Sequence, residues 1–166
     1  MESDPYGIPE SIFGTLDPEL PALIGRIVIL SALIESKVDS LASSLSREFQ
    51  DVTAGRPFAV NLNACRTSLE QLAKDPTREK YIDTTATTLT EVAVALRARH
   101  EVAHRVWPHA GSAGWGGWKP TPKARREAES ERWTDWRNFT RDELLGDVVR
   151  LVRLVDEIGD ALAGAG

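Results

Sequence analysis

The sequence predicts an all-α fold, an antiparallel helical bundle with a long Trp/Gly-rich loop before the last helix. Three observations carry that prediction. Apolar residues recur at three–four spacing over several long stretches, the signature of one buried face on a helix. No stretch alternates convincingly with period two, which argues against a sizeable sheet. The segment just before the last periodic stretch, from Trp107 to Phe139, holds all five tryptophans together with Gly111, Gly114, Gly116, Gly117, Pro108, Pro120 and Pro122.

Taken in order, residues 1–17 hold Pro5, Gly7, Pro9 and Gly14 with little periodicity and read as an extended arm. Residues 18–166 read as a single helical domain, with 108–139 as a loop insert. The first helix is expected to open on Asp17 as N-cap with Pro18 at the first helical position, where its missing N–H costs nothing. From Leu20 and Leu23 onward the apolar stripe runs to Leu45 and Phe49, about eight turns, and stops before Ala54-Gly55-Arg56-Pro57. A shorter second helix carries Leu62, Cys65, Leu69 and Leu72 on one face. Asp75-Pro76 closes it and caps the third helix, whose stripe passes through Ile82, Leu89, Val92 and Leu96. At the same spacing that stripe reaches Arg99, His100 and Ala103, then Val106 and Trp107, so the core-facing side turns cationic for one turn. Trp107-Pro108 is expected to end it, because a residue before proline is pushed out of helical geometry. The segment that follows reads as a long ordered loop with room for a short hairpin built on its tryptophans. Thr140-Arg141-Asp142-Glu143 then forms a capping box for the last helix, with Leu144, Val148, Leu151, Val155, Ile158 and Leu162 as its buried face.

Length and composition narrow the function classes. At 166 residues the chain suits one domain with a real core. No apolar run approaches the roughly 18 residues of a membrane span, and no basic-then-apolar leader is visible, so the expectation is a cytoplasmic protein without membrane contact. Cys65 is the single cysteine, which excludes an intrachain disulfide and a thiolate zinc cluster. The net charge of −5 gives no global footprint for nucleic acid. Its distribution says more: the stretch from Arg97 to Arg132 carries +4 while the remainder carries −9. All three histidines and all five tryptophans fall between His100 and Trp136.

The chemistry therefore concentrates in Arg97-Ala-Arg-His-Glu-Val-Ala-His-Arg-Val-Trp107, and three readings are open. His100-Glu101-Val102-Ala103-His104 satisfies H-E-x-x-H, which would make His100 and His104 zinc ligands and Glu101 the general base of a hydrolase. Arg97, Arg99 and Arg105 beside the motif oppose a dication, and the extended third-ligand pattern fails at Trp107 and Ala110. A second reading is metal-free RNA cleavage, because Arg99 followed by polar His100 and then His104 gives the pattern R-polar-x-x-x-H. The third is structural, with Arg99 and His100 pairing with carboxylates such as Glu35 across the bundle.

The stretch from Leu96 to Trp107 resembles the signature helix of HEPN (higher eukaryotes and prokaryotes nucleotide-binding) domains, where the second motif position is commonly Asn, Asp or His. The opening Ile24-Gly25-Arg26-Ile27 with Glu35 further on, and the final helix introduced by Phe139-Thr140-Arg-Asp-Glu-Leu, are similar to bacterial members. The likeness in helix order spans roughly residues 18 to 163 and leaves out the tryptophan-rich insert. It implies a HEPN-like bundle working as a homodimer, with two motif helices meeting across a cleft, and a metal-independent endoribonuclease of the kind found in toxin–antitoxin and phage-defence systems. No cofactor is then needed, and RNA and an antitoxin or other protein partner are implied. On that reading His104 is the acid–base group, Arg99 the phosphate clamp, His100 a residue that orients His104 or binds RNA, and Arg97 and Arg105 auxiliary. The family also includes interaction modules that cleave nothing.

Among the tryptophans, Trp107 is the one placed nearest His104 and hence the one expected to touch substrate. The others either stack on bases, with Lys119, Lys123, Arg125 and Arg126 tracking phosphate, or pin the glycine-rich loop to the bundle. Cys65 lies on an apolar face and reads as core.

Overall fold

A computed structural model of the chain describes residues 17–46, 56–111, 114–120 and 134–165. The expected N-terminal arm, the end of the first helix near Phe49 and the Lys123–Glu131 charged patch lie outside these residues. Four helices and one small sheet make up the described part: α1 (Glu19–Leu45), α2 (Phe58–Leu72), α3 (Glu79–Ala103), β1 (Val106–Gly111), β2 (Gly114–Pro120), β3 (Thr134–Phe139) and α4 (Arg141–Gly164).

The helix starts follow from local chemistry. The Asp17 carboxylate accepts from the Glu19 N–H at 2.9 Å, so α1 opens where an acidic cap and Pro18 direct it. Asp75 accepts from both the N–H and the hydroxyl of Thr77, which sets a 3₁₀ turn over Pro76–Arg78 that runs on into α3. Thr140 and Glu143 exchange side-chain-to-backbone bonds in a complete capping box at the start of α4.

Each helix buries one stripe in a common core: Leu20, Ile27, Ile34 and Leu41 from α1, Leu62, Cys65 and Leu69 from α2, Leu89 and Val92 from α3, and Leu144, Leu151, Leu154 and Ile158 from α4. The helix directions depart from simple antiparallel alternation. Tyr81 donates to the Ala161 carbonyl while Arg153 pairs with Glu91, so α4 runs antiparallel to α3. Glu19 pairs with Arg141 at the first turns of α1 and α4, and Lys37 lies beside Gly159 further along, so α1 and α4 run parallel. No helix among the described residues is long and apolar enough to cross a membrane.

Within the segment expected as a loop with room for a short hairpin, the described residues form a three-stranded antiparallel sheet of order β1-β2-β3. Accordingly α3 stops at Ala103, four residues earlier than the Trp107-Pro108 signal suggested, and His104 is its C-cap. Val106 and its successors satisfy their backbone groups by pairing with β2, which a helix continued to Trp107 would forgo. Gly114 opens β2 at φ 129°, a backbone state that L side chains rarely adopt. The inner face of the sheet joins the main core through Trp115 and Phe139, and Trp107 packs at its edge. The outer face carries Val106, Trp118 and Trp136, which the strand register sets directly opposite one another.

Candidate functional site

The C-terminal turn of α3 places Arg99, His100 and His104 at one end of the bundle. Arg99 projects toward α1, and its guanidinium donates to Glu35 at 2.8 Å. Its side chain remains 42% exposed, so one N–H is committed and others face solvent. The rings of His100 and His104 lie 4.9 Å apart, tilted by 58°, and both residues are exposed. Arg97 is exposed one turn before His100 and Glu101. His104, as the C-cap, has already left helical geometry.

Arg105 sits differently from the auxiliary RNA contact expected for it. Its side chain is 1% exposed and is turned in beneath the sheet. One terminal nitrogen donates to the carbonyls of Gly117 (3.0 Å) and Asp135 (2.7 Å); the other donates to the carboxylates of Glu101 (2.8 Å) and Asp135 (2.8 Å). Lys119 also pairs with Glu101. Burial works to raise the Glu101 pKa, but hydrogen bonds from Lys119 and Arg105, with their positive charges, outweigh it and hold that carboxyl at about 2. A carboxylate held this firmly is a poor proton acceptor near neutrality, so Glu101 does not suit the general-base role that the H-E-x-x-H match would give it. Among the described residues no group of three or more His, Cys, Asp or Glu is placed to hold a metal ion.

Trp107 also faces inward. Its indole N–H donates to the Val102 carbonyl at 3.2 Å and its ring packs 5.1 Å from Phe139. Strand geometry explains the change from expectation: alternation from Arg105 sends Val106 out and Trp107 in, whereas helical spacing would have put Trp107 beside His104. Asp135 and Lys119, which complete the ion network, carry no sequence signal that separates them from ordinary loop charges. Comparison with protein-family models, curated proteins and solved structures finds no match. What fold and site define is a helical protein with a small antiparallel sheet, with Arg99 and the exposed pair His100 and His104 where helix gives way to sheet.

Proposed function

We propose that this chain is a metal-independent endoribonuclease of the HEPN type, acting through Arg99 and His104. The observation that carries the reading is the end of α3, where an arginine anchored by Glu35 immediately precedes two exposed histidines whose rings lie 4.9 Å apart. An imidazole can take the proton from a ribose 2′-hydroxyl and return one to the leaving 5′-oxygen. The 2′-oxygen then attacks the adjacent phosphorus, the bond to the 5′-oxygen breaks, and the products are a 2′,3′-cyclic phosphate and a free 5′-hydroxyl. Arg99 supplies N–H donors to the phosphate oxygens as charge builds there, with Glu35 limiting its rotamers. His100 orients His104 or contacts RNA, and Arg97 adds an exposed cation. A role in toxin–antitoxin or phage-defence systems, with a protein antitoxin, belongs to the same proposal and rests on the family resemblance.

The reading includes a homodimer, placed here on α1 and α4 and not on the two motif helices that the resemblance brings together across a cleft. Ile29 and Leu33 on α1 and Leu145, Val149 and Val152 on α4 are exposed large aliphatics on the outward side of the parallel pair. Arg26 lies one turn before Ile29 and Asp156 one turn after Val152, both exposed. A two-fold pairing with the helices antiparallel would cover the aliphatics and set Arg26 of each copy against Asp156 of the other.

One observation favours a second reading, an interaction module without catalysis: the Arg99–Glu35 pair also ties α3 to α1, a purely structural duty. Incubating purified protein with a mixed RNA in chelator separates the two. Cleavage lost in Arg99→Ala and His104→Ala supports the nuclease; intact RNA with all three proteins, each folded and dimeric, selects the module.

A further inference from the structure

The outer face of the sheet carries a row of three directly paired residues, Val106, Trp118 and Trp136, one from each strand. Trp136 is 55% exposed although it is the largest kind of apolar side chain. Its position is set by two contacts. The indole N–H donates to the Asn138 side chain at 3.0 Å, and the six-membered ring lies against Gly116, where a Cβ would run into it. Gly116 thus acts as a seat: without a side chain there, the six-membered ring of the indole sits close against the strand backbone while over half of the residue stays exposed.

An exposed tryptophan that merely fills space would bury its ring. One held in place by a glycine seat, with its polar edge already bonded and over half of its surface in water, suits stacking on another planar group. Two further facts decide what that group is. Val106 begins the row only two residues after His104, so the platform starts within about 7 Å of the histidine along the chain. Strands lie about 4.8 Å apart, so the row extends roughly 10 Å from Val106 to Trp136. That span suits one or two nucleotides next to a phosphate held at Arg99. At the same end of α3, the exposed Arg97 and the partly exposed, Glu35-paired Arg99 favour a polyanion over an apolar peptide.

We infer that the outer sheet face is a stacking platform for an unpaired base of single-stranded RNA, with Trp136 as its principal contact and Trp118 and Val106 as its floor. This rests on the nuclease reading for the identity of the ligand, but the platform's geometry is independent of catalysis. A duplex hides its base faces, so the platform selects single strands.

The test uses the full chain carrying His104→Ala, so that RNA is not consumed, and a labelled eight-nucleotide RNA without secondary structure, read by fluorescence anisotropy. Trp136→Ala on that background should weaken binding about 5- to 150-fold; Trp136→Phe should keep most of it, and a duplex of the same sequence should compete poorly. Unchanged melting of both variants separates lost stacking from lost fold. Equal affinity of the parent and Trp136→Ala, equal competition by duplex, or no RNA binding at all each overturns the platform. Binding that depends on Trp136 in a chain that never cleaves RNA would keep the platform and reject the nuclease; cleavage indifferent to Trp136 would do the reverse.

Discussion

Replacing Arg105 with alanine tests whether the junction of α3 and the sheet is held by an ion network. The guanidinium makes four hydrogen bonds from a side chain that is 1% exposed. Bonds to charged groups are worth about 1.5–3 kcal/mol each, yet they do not simply add. The carboxylates of Glu101 and Asp135 are 29% and 47% exposed, so both regain water once the arginine is gone and their share must be discounted. The Gly117 carbonyl is in a buried residue and recovers less. The net loss expected is about 3 kcal/mol, the low end for breaking a buried pair, or roughly 6–12 °C in melting temperature for a chain of this size. Urea unfolding followed by circular dichroism at pH 7 measures it. Arg105→Lys should fall between, since one ammonium cannot span two carbonyls and two carboxylates as the planar fork does. A loss below about 1 kcal/mol would refute the reasoning. If Arg105 served phosphate instead, its removal would leave stability intact and reduce the salt dependence of RNA binding by about one charge.

Glu101→Gln should flatten the acid limb of the stability curve. A carboxyl lowered from 4.5 to about 2 contributes stability that is complete above its unfolded pKa and is lost as pH falls through about 2; after allowance for solvent screening this is about 1–2 kcal/mol between pH 7 and pH 2, read from urea midpoints across that range. Cys65 is fully buried and burial pushes its thiol up to about 12, so at pH 8 a thiol reagent should label it only on unfolding; rapid labelling of the native protein would contradict its core placement. Thr140→Ala removes the cap of α4 and should cost about 1 kcal/mol, visible as a shifted urea midpoint with an unchanged slope. Val149→Glu should convert the proposed dimer to monomer in light scattering without loss of helicity, and a variant that stays dimeric would move the interface elsewhere.

The helices were legible because each repeats one physical demand many times. Leu20, Leu23, Ile27, Ile34 and Leu41 are buried on α1 as the three–four spacing required, and the caps at Asp17, Asp75 and Thr140 are local enough to read from four residues. The sheet was hidden for the opposite reason. In Gly114-Trp-Gly-Gly-Trp-Lys-Pro the two faces do alternate, Trp115 and Gly117 inward against Gly116 and Trp118 outward, but glycine stands where β-formers would announce the period.

That same substitution of glycine for side chain shapes the site. Gly117 leaves room for Arg105 and Trp107 beneath the sheet, and Gly116 leaves room for Trp136 above it. An i,i+4 pair such as Glu101 and Arg105 is ordinarily a solvent-exposed contact worth little in water. It becomes a buried clamp only because β3, arriving some 30 residues later, brings Asp135 to the same guanidinium. What fixes the end of α3, and hence where His104 stands, is therefore a long-range pairing that no local pattern encodes. Trp115 and Trp136 differ in the same way: alike as residues, one becomes core and the other stays exposed according to the sheet face it occupies.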